Sequence, residues 1–274
     1  MSKLLPKLSL AGLIFFLSAL VIRAHEGEPE EVVETVTATL EDTIRSNSLK
    51  VAAVGSFLIL LFVLLTIILK NKGGLVKKLL YAGIAIPTLA ATIFLSGSTL
   101  YLNLSSSSGG PVHWHADFEV WDCGQKLDLI DPEGFSNRVG SSTFHEHNDD
   151  RIHVEGVVVH PEEASLGRFF GFIGGELAEN GFELPLNQGM VDRHNGDLCS
   201  DGTTGYLQVF VYKTSGKIYT QQKLEDPEDY LLSPYGNVPP GDCIIVEFGE
   251  YKDSTDKLCD SYKLQIQKGN LYGN

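Results

Sequence analysis

The sequence predicts an α+β protein: two transmembrane helices followed by an antiparallel-rich β domain with one or two short helices. Three observations carry that expectation. Every long apolar run lies within residues 1–110. Between the second and third runs stand Lys70, Lys72, Lys77 and Lys78, which the positive-inside rule places in the cytoplasm. From Val112 onward the hydrophobic period changes from helical to two, the period of a half-buried strand.

Residues 1–24 read as a signal peptide, with Lys3 and Lys7, an uncharged stretch over 8–22, and then Arg23, Ala24 and His25. Cleavage after Ala24 is the expected outcome, with an uncleaved anchor as the alternative. Cleavage there would leave His25 as the mature N-terminus, where amine and imidazole together chelate copper. Residues 25–50 form an acidic extracytoplasmic segment, in which Val32, Val33, Val36, Leu40 and Ile44 recur at helical spacing. Residues 51–70 are the first transmembrane helix, 71–78 a cytoplasmic loop, and 79–104 a second helix interrupted by Pro87. A Ser/Gly linker over 105–111 reads as a flexible tether to an extracytoplasmic domain spanning 112–274. The plasma membrane is therefore the expected location, with the lipid bilayer contacted through two helices.

In 111–274 there are 28 Asp plus Glu against 12 Lys plus Arg, a net charge of −16. Such a surface repels a phosphate backbone or an anionic bilayer surface, so nucleic acid is excluded as a partner and cations are favoured. All four cysteines, Cys123, Cys199, Cys243 and Cys259, lie in this region. The even count fits disulfides formed in an oxidising compartment, with three connectivities open.

Along Val112 to Trp121 the even positions are apolar and the odd ones are His113, His115, Asp117, Glu119 and Trp121, which gives a strand with a core face and a polar face. Cys123 to Lys126 form a turn, and 127–130 return as a partner strand. Asn148, Asp149 and Asp150 are turn chemistry, so 143–155 read as a β-hairpin. A three-residue loop sets His147 opposite Arg151 and His145 opposite His153, with Glu155 on the same face. A two-residue loop would mix polar with apolar partners. Residues 164–174 read as a short helix buried on one side, and 206–212, 243–248 and 264–267 as strands. Asp226 and Pro227 open a helical turn.

His113, His115, His145, His147 and His153 fall within 41 residues and are five of the eight histidines. Imidazole is the commonest metal ligand, and an HxH pair on a strand projects two rings to one side. A second such pair from a neighbouring hairpin would complete a three- or four-ligand shell. Glu119, Asp117 or Glu155 would serve as a further ligand or as acceptors that fix the ring tautomers. With only Met1 and Met190 in the chain, a soft Cu(I) site is disfavoured; Cu(II) and Zn(II) lead, and carboxylate coordination would admit Fe(II) or Mn(II).

His113, His115 and Glu119 match the HxHxxxE core of the first cupin motif, a resemblance of seven residues. A broader resemblance rests on HxHA at 113–116, HxHxDxxIHVE at 145–155, a Leu166, Gly167, Phe169, Phe170 helix, Asp226, Pro227 and Tyr230, and the Ile245, Val246, Phe248, Gly249 strand. In these motifs the chain resembles a group of uncharacterised secreted or membrane-anchored prokaryotic proteins, which implies the domain boundaries and the joint importance of the histidines. No nucleophile elbow, Walker loop, dinucleotide fingerprint, CxxC or HExxH is present. The expectation is a membrane-anchored protein that binds a divalent transition metal, for binding, sensing or delivery. The alternatives are a cupin-like metal-dependent oxygenase or isomerase, and an adhesion or scaffold ectodomain without metal.

Overall fold

Helix α1 (Leu40–Ile68) begins before the apolar run does, because Thr39 and Asp42 form a reciprocal capping box that starts the helix in the acidic segment. Residues 40–50 of the acidic segment continue without a break into the apolar run as one helix. After a short turn, α2 (Gly74–Ser105) runs back and packs on α1, where a Cβ placed on Gly55 would lie 3.6 Å from that of Ala91. Both helices are long and apolar enough to cross a membrane. At 1.5 Å per residue each is longer than the roughly 30 Å of a hydrocarbon core. A cavity of about 310 Å³ between them is lined by Val51, Val54, Gly55, Leu58, Pro87 and Ala90. This computed structural model describes residues 39–135, 137–232 and 241–273. The chain divides into two units, Met1–Thr35 and Val36–Asn274. The first unit lies outside the described residues, as do the signal-peptide reading, His25, Val32, Val33 and Val36.

The remainder is strand-rich. Its strands are β1 (Pro111–Asp122), β2 (Gln125–Leu127), β3 (Val139–Gly140), β4 (Phe144–Glu146), β5 (Arg151–Val157), β6 (Glu176–Ala178), β7 (Gly181–Leu186), β8 (Gly189–His194), β9 (Tyr206–Ser215), β10 (Ile218–Lys223), β11 (Asp242–Gly249) and β12 (Tyr272–Gly273). Two short helices join them, α3 (Leu166–Phe172) and α4 (Asp260–Gln267). The main sheet runs β12-β10-β9-β11-β1-β5-β4-β3, with β2 folded back on β1, and β6, β7 and β8 form a separate meander. Most pairs are antiparallel. The exceptions are β1 with β11 and β10 with β12, which run parallel. Buried along its whole length, β11 has the near-continuous apolar run that a central parallel partner requires.

The main core lies on the even-numbered face of β1, where Ala116, Phe118 and Val120 pack with Ile152, Val154 and the α3 residues Leu166, Phe169 and Phe170. Removing side chains of this size from water stabilises by about 2–3 kcal/mol each. A second cluster, with Phe210, Cys243, Ile245, Cys259 and Tyr262, covers part of the opposite face beneath α4. The disulfides are Cys123–Cys199 and Cys243–Cys259.

Four expectations are corrected. The strand that returns on β1 is Gln125–Leu127 rather than 127–130, because Cys123 and Gly124 alone make the turn, with Asp122 paired to Gln125. Residues 264–267 are not a strand but the end of α4. As a strand they would set Leu264 and Ile266 on one face, whereas in a helix Ile266 follows Tyr262 by four positions and packs beside it against the second cluster, leaving Leu264 exposed. Asp226 and Pro227 open a hydrogen-bonded turn, with Tyr230 N–H donating to Pro227 O, rather than a helical one. The Ser/Gly segment after α2 is not slack. Ser107 N–H donates to Val159 O at 3.0 Å and Ser108 N–H to Val158 O at 3.2 Å, while Ser108 Oγ accepts from Val158 N–H at 3.3 Å. Its small polar residues satisfy the backbone groups just past the end of β5 as a further strand would.

Candidate metal centre

The five histidines come together on the odd-numbered face of the sheet, beyond the end of α4. Strand register places them. His115 of β1 pairs with His153 of β5, which pairs with His145 of β4, so three imidazoles stand side by side across three adjacent strands. The hairpin register is the one that the alternation at 143–155 requires, with left-handed Asn148 and Asp150 turning the chain between β4 and β5. His113 lies two positions along β1, opposite Glu155, and His147 lies just beyond β4. Gly140 of β3 faces His145 with φ of 109°, and a Cβ there would come within 2.5 Å of Phe144 O, so only glycine closes the sheet beside this ring.

The ring centroids of His115 and His147 lie 4.6 and 4.9 Å from that of His153, and His145 stacks on His153 at 5.4 Å. Two groups of ligand atoms result, each mutually within 4.8 Å: one from His113, His115 and His153, the other from His145, His147 and His153. Bond lengths of about 2.0–2.1 Å to imidazole nitrogen allow ligands of one ion to be up to roughly 4 Å apart, so a small contraction closes either group on an ion. His145 and His153 are buried, whereas the His113 side chain is 60% exposed, which leaves the centre open to solvent from the β1 side.

Electrostatics favour neutral rings. Burial lowers the His145 pKa to about 4, with His147 acting in the same direction and Glu155 opposing. Burial also lowers His153, against the pull of Asp149. Both rings thus offer a lone pair at neutral pH without first losing a proton. The Nδ1 atoms of His145 and His153 are buried with no hydrogen-bond partner among the described residues. Such a nitrogen costs about 1–3 kcal/mol when cut off from water, and a coordinate bond would satisfy it.

Among the carboxylates, Glu155 is the one brought to the rings, with Oε1 at 3.1 Å from His113 Nε2 and Oε2 at 3.9 Å from His145 Nε2. Asp117 binds Arg151 Nε at 2.6 Å and accepts from Ser261 Oγ of α4. Glu119 accepts from Trp121 Nε1 at 2.9 Å and lies near Lys126 and Lys263. The strand alternation that puts these two acids on the histidine face also puts them under α4, where they answer cations. The site residues named from the sequence did not include Asp149, whose Oδ2 is 3.4 Å from His153 Nε2, or Asn137, whose carbonyl meets His147 Nδ1. Asp149 read as turn chemistry and as the Asp of the HxHxDxxIHVE motif but not as a site carboxylate, although a carboxylate four residues before a histidine in a tight hairpin is the available signal. No protein-family model, curated protein or solved structure matches the chain.

Proposed function

We propose that this is a membrane-anchored protein whose strand-rich domain faces the extracytoplasmic side and binds a divalent transition metal through His113, His115, His145, His147 and His153, for metal binding, sensing or delivery. The observation that carries the reading is the row His115, His153, His145 across three paired strands, extended at its ends by His113 and His147. Cu(II) or Zn(II) suits an imidazole-rich set, and Glu155 admits Fe(II) or Mn(II). Two disulfides and the lysines of the helical turn support the topology. Binding is favoured over cupin-like catalysis because Glu119, the carboxylate that the cupin comparison requires, is committed to Trp121 and lysines. On this reading the HxHA and HxHxDxxIHVE motifs, in which the chain resembles uncharacterised prokaryotic proteins, are the segments that carry the ligands.

The test is metal content by mass spectrometry on the full chain, purified in mild detergent with its disulfides intact, beside a variant with all five histidines changed to Ala. Near-stoichiometric copper, zinc, iron or manganese that disappears in the variant is expected. A folded wild type that takes up no metal on reconstitution would leave the scaffold reading in its place.

A further inference from the structure

Resting on that reading, we infer that the cluster is a dinuclear centre, in which His113 and His115 hold one divalent ion and His145 and His147 a second, with Glu155 and His153 between them.

The first argument is spatial. The two HxH pairs sit on β1 and on the β4 side of β5, so they are two strand spacings apart, roughly 10 Å between backbones. One ion draws its ligand atoms to within about 2 Å of a single point. The five rings do not gather around one such point but around two, and the groups they form have only His153 in common.

The second argument is the chemistry of the middle strand. Glu155 directs its two carboxylate oxygens to opposite sides, Oε1 toward His113 and Oε2 toward His145. A carboxylate so placed can give one oxygen to each of two ions. The ring of His153 is nearly equidistant from one member of each pair, 4.6 Å from His115 and 4.9 Å from His147. Its Nε2 faces Asp149 while its Nδ1 is buried and without a partner among the described residues. Two dications side by side repel, and negative charge between and beside them is what makes the arrangement stable. Glu155 supplies it between the pairs and Asp149 at the edge.

The experiment titrates the full chain in detergent with Cu(II), counting bound copper per chain as the difference from the variant with all five histidines changed to Ala, and recording the electron paramagnetic resonance spectrum at each step. The expected difference is two coppers per chain, with loss of the isolated Cu(II) signal as the second ion enters, because neighbouring spins couple. His113→Ala with His115→Ala, and separately His145→Ala with His147→Ala, should each retain one copper with an uncoupled spectrum. A difference of one copper with an uncoupled signal in the wild type overturns the dinuclear centre and leaves the metal-binding reading standing. A difference of zero overturns both. Should a paired variant fail to fold, the coupling in the wild type still decides between one ion and two.

Discussion

Acidification should unfold the metal-free domain through His145. Its imidazole is 1% exposed and its pKa is lowered to about 4 from an ordinary 6.5. In the unfolded chain the ring takes up its proton near 6.5, so between those two values the unfolded state holds more protons and stability falls as the pH falls. The full loss is about 3 kcal/mol, reached near pH 4, and His153 adds to it in the same direction. The buried carboxyls of Asp117 and Glu146 are raised and act in the opposite sense, regaining stability as the pH drops toward their unfolded values. A His145→Phe variant keeps a flat ring beside His153 and removes the titration, so the difference between the two pH profiles isolates this one group. The assay is guanidinium unfolding of the detergent-solubilised chain with chelator present. Both tryptophans, Trp114 and Trp121, lie on β1, so their fluorescence follows the sheet and not the helices. The stability difference between wild type and variant should shift by about 3 kcal/mol between pH 7 and pH 4. Parallel profiles over that range would refute the claim that burial holds this ring neutral.

Arg151→Met should cost about 3 kcal/mol, measured by the same unfolding, because it leaves the buried Asp117 carboxylate without its guanidinium. Replacing Cys123 and Cys199 by Ser opens a loop 76 residues long and should lose about 4 kcal/mol. The 16-residue Cys243–Cys259 loop should lose about 3 kcal/mol; equal losses would argue against an entropic origin. Glu41→Gln weakens the acceptor for Val157 N–H, held at 2.8 Å, and hydrogen exchange at that amide should speed up several-fold while amides of β9 and β11 keep their protection.

The polar face of β1 and the hairpin register were legible in the sequence because strand alternation has a strict period and Asn148, Asp149 and Asp150 leave few ways to turn. What alternation cannot give is strand order. That β5 lies between β1 and β4, so that His153 touches both pairs, depends on pairing between segments far apart in sequence. The same limit explains Asp117 and Glu119, whose face was read correctly but whose partners, Arg151, Ser261 and Lys263, come from other elements. The β6, β7 and β8 meander was missed because Pro185 sits within β7 and demotes its pattern, and because β8 alternates between exposed and half-buried positions. Residues 264–267 were misread because four residues fit a strand as well as a helical turn; Tyr262 decides it.

Both long helices are fastened to adjacent residues, Val157 to Val159, where β5 ends. Glu41, in the first turn of α1, takes Val157 N–H and approaches Gly156, where a Cβ would meet Glu41 Oε1 at 2.5 Å, while the segment leaving α2 takes Val158 and Val159. A domain on one slack string would sweep freely above the surface from which it hangs. On the proposed membrane-anchored reading, one moored at two points would be held at a single height and heading, and a carrier exchanging ions with the histidines would meet them at that level. The mooring also reaches β5 immediately after Glu155, so a change in the tilt of α1 pulls on the very strand whose side chains separate the two histidine pairs.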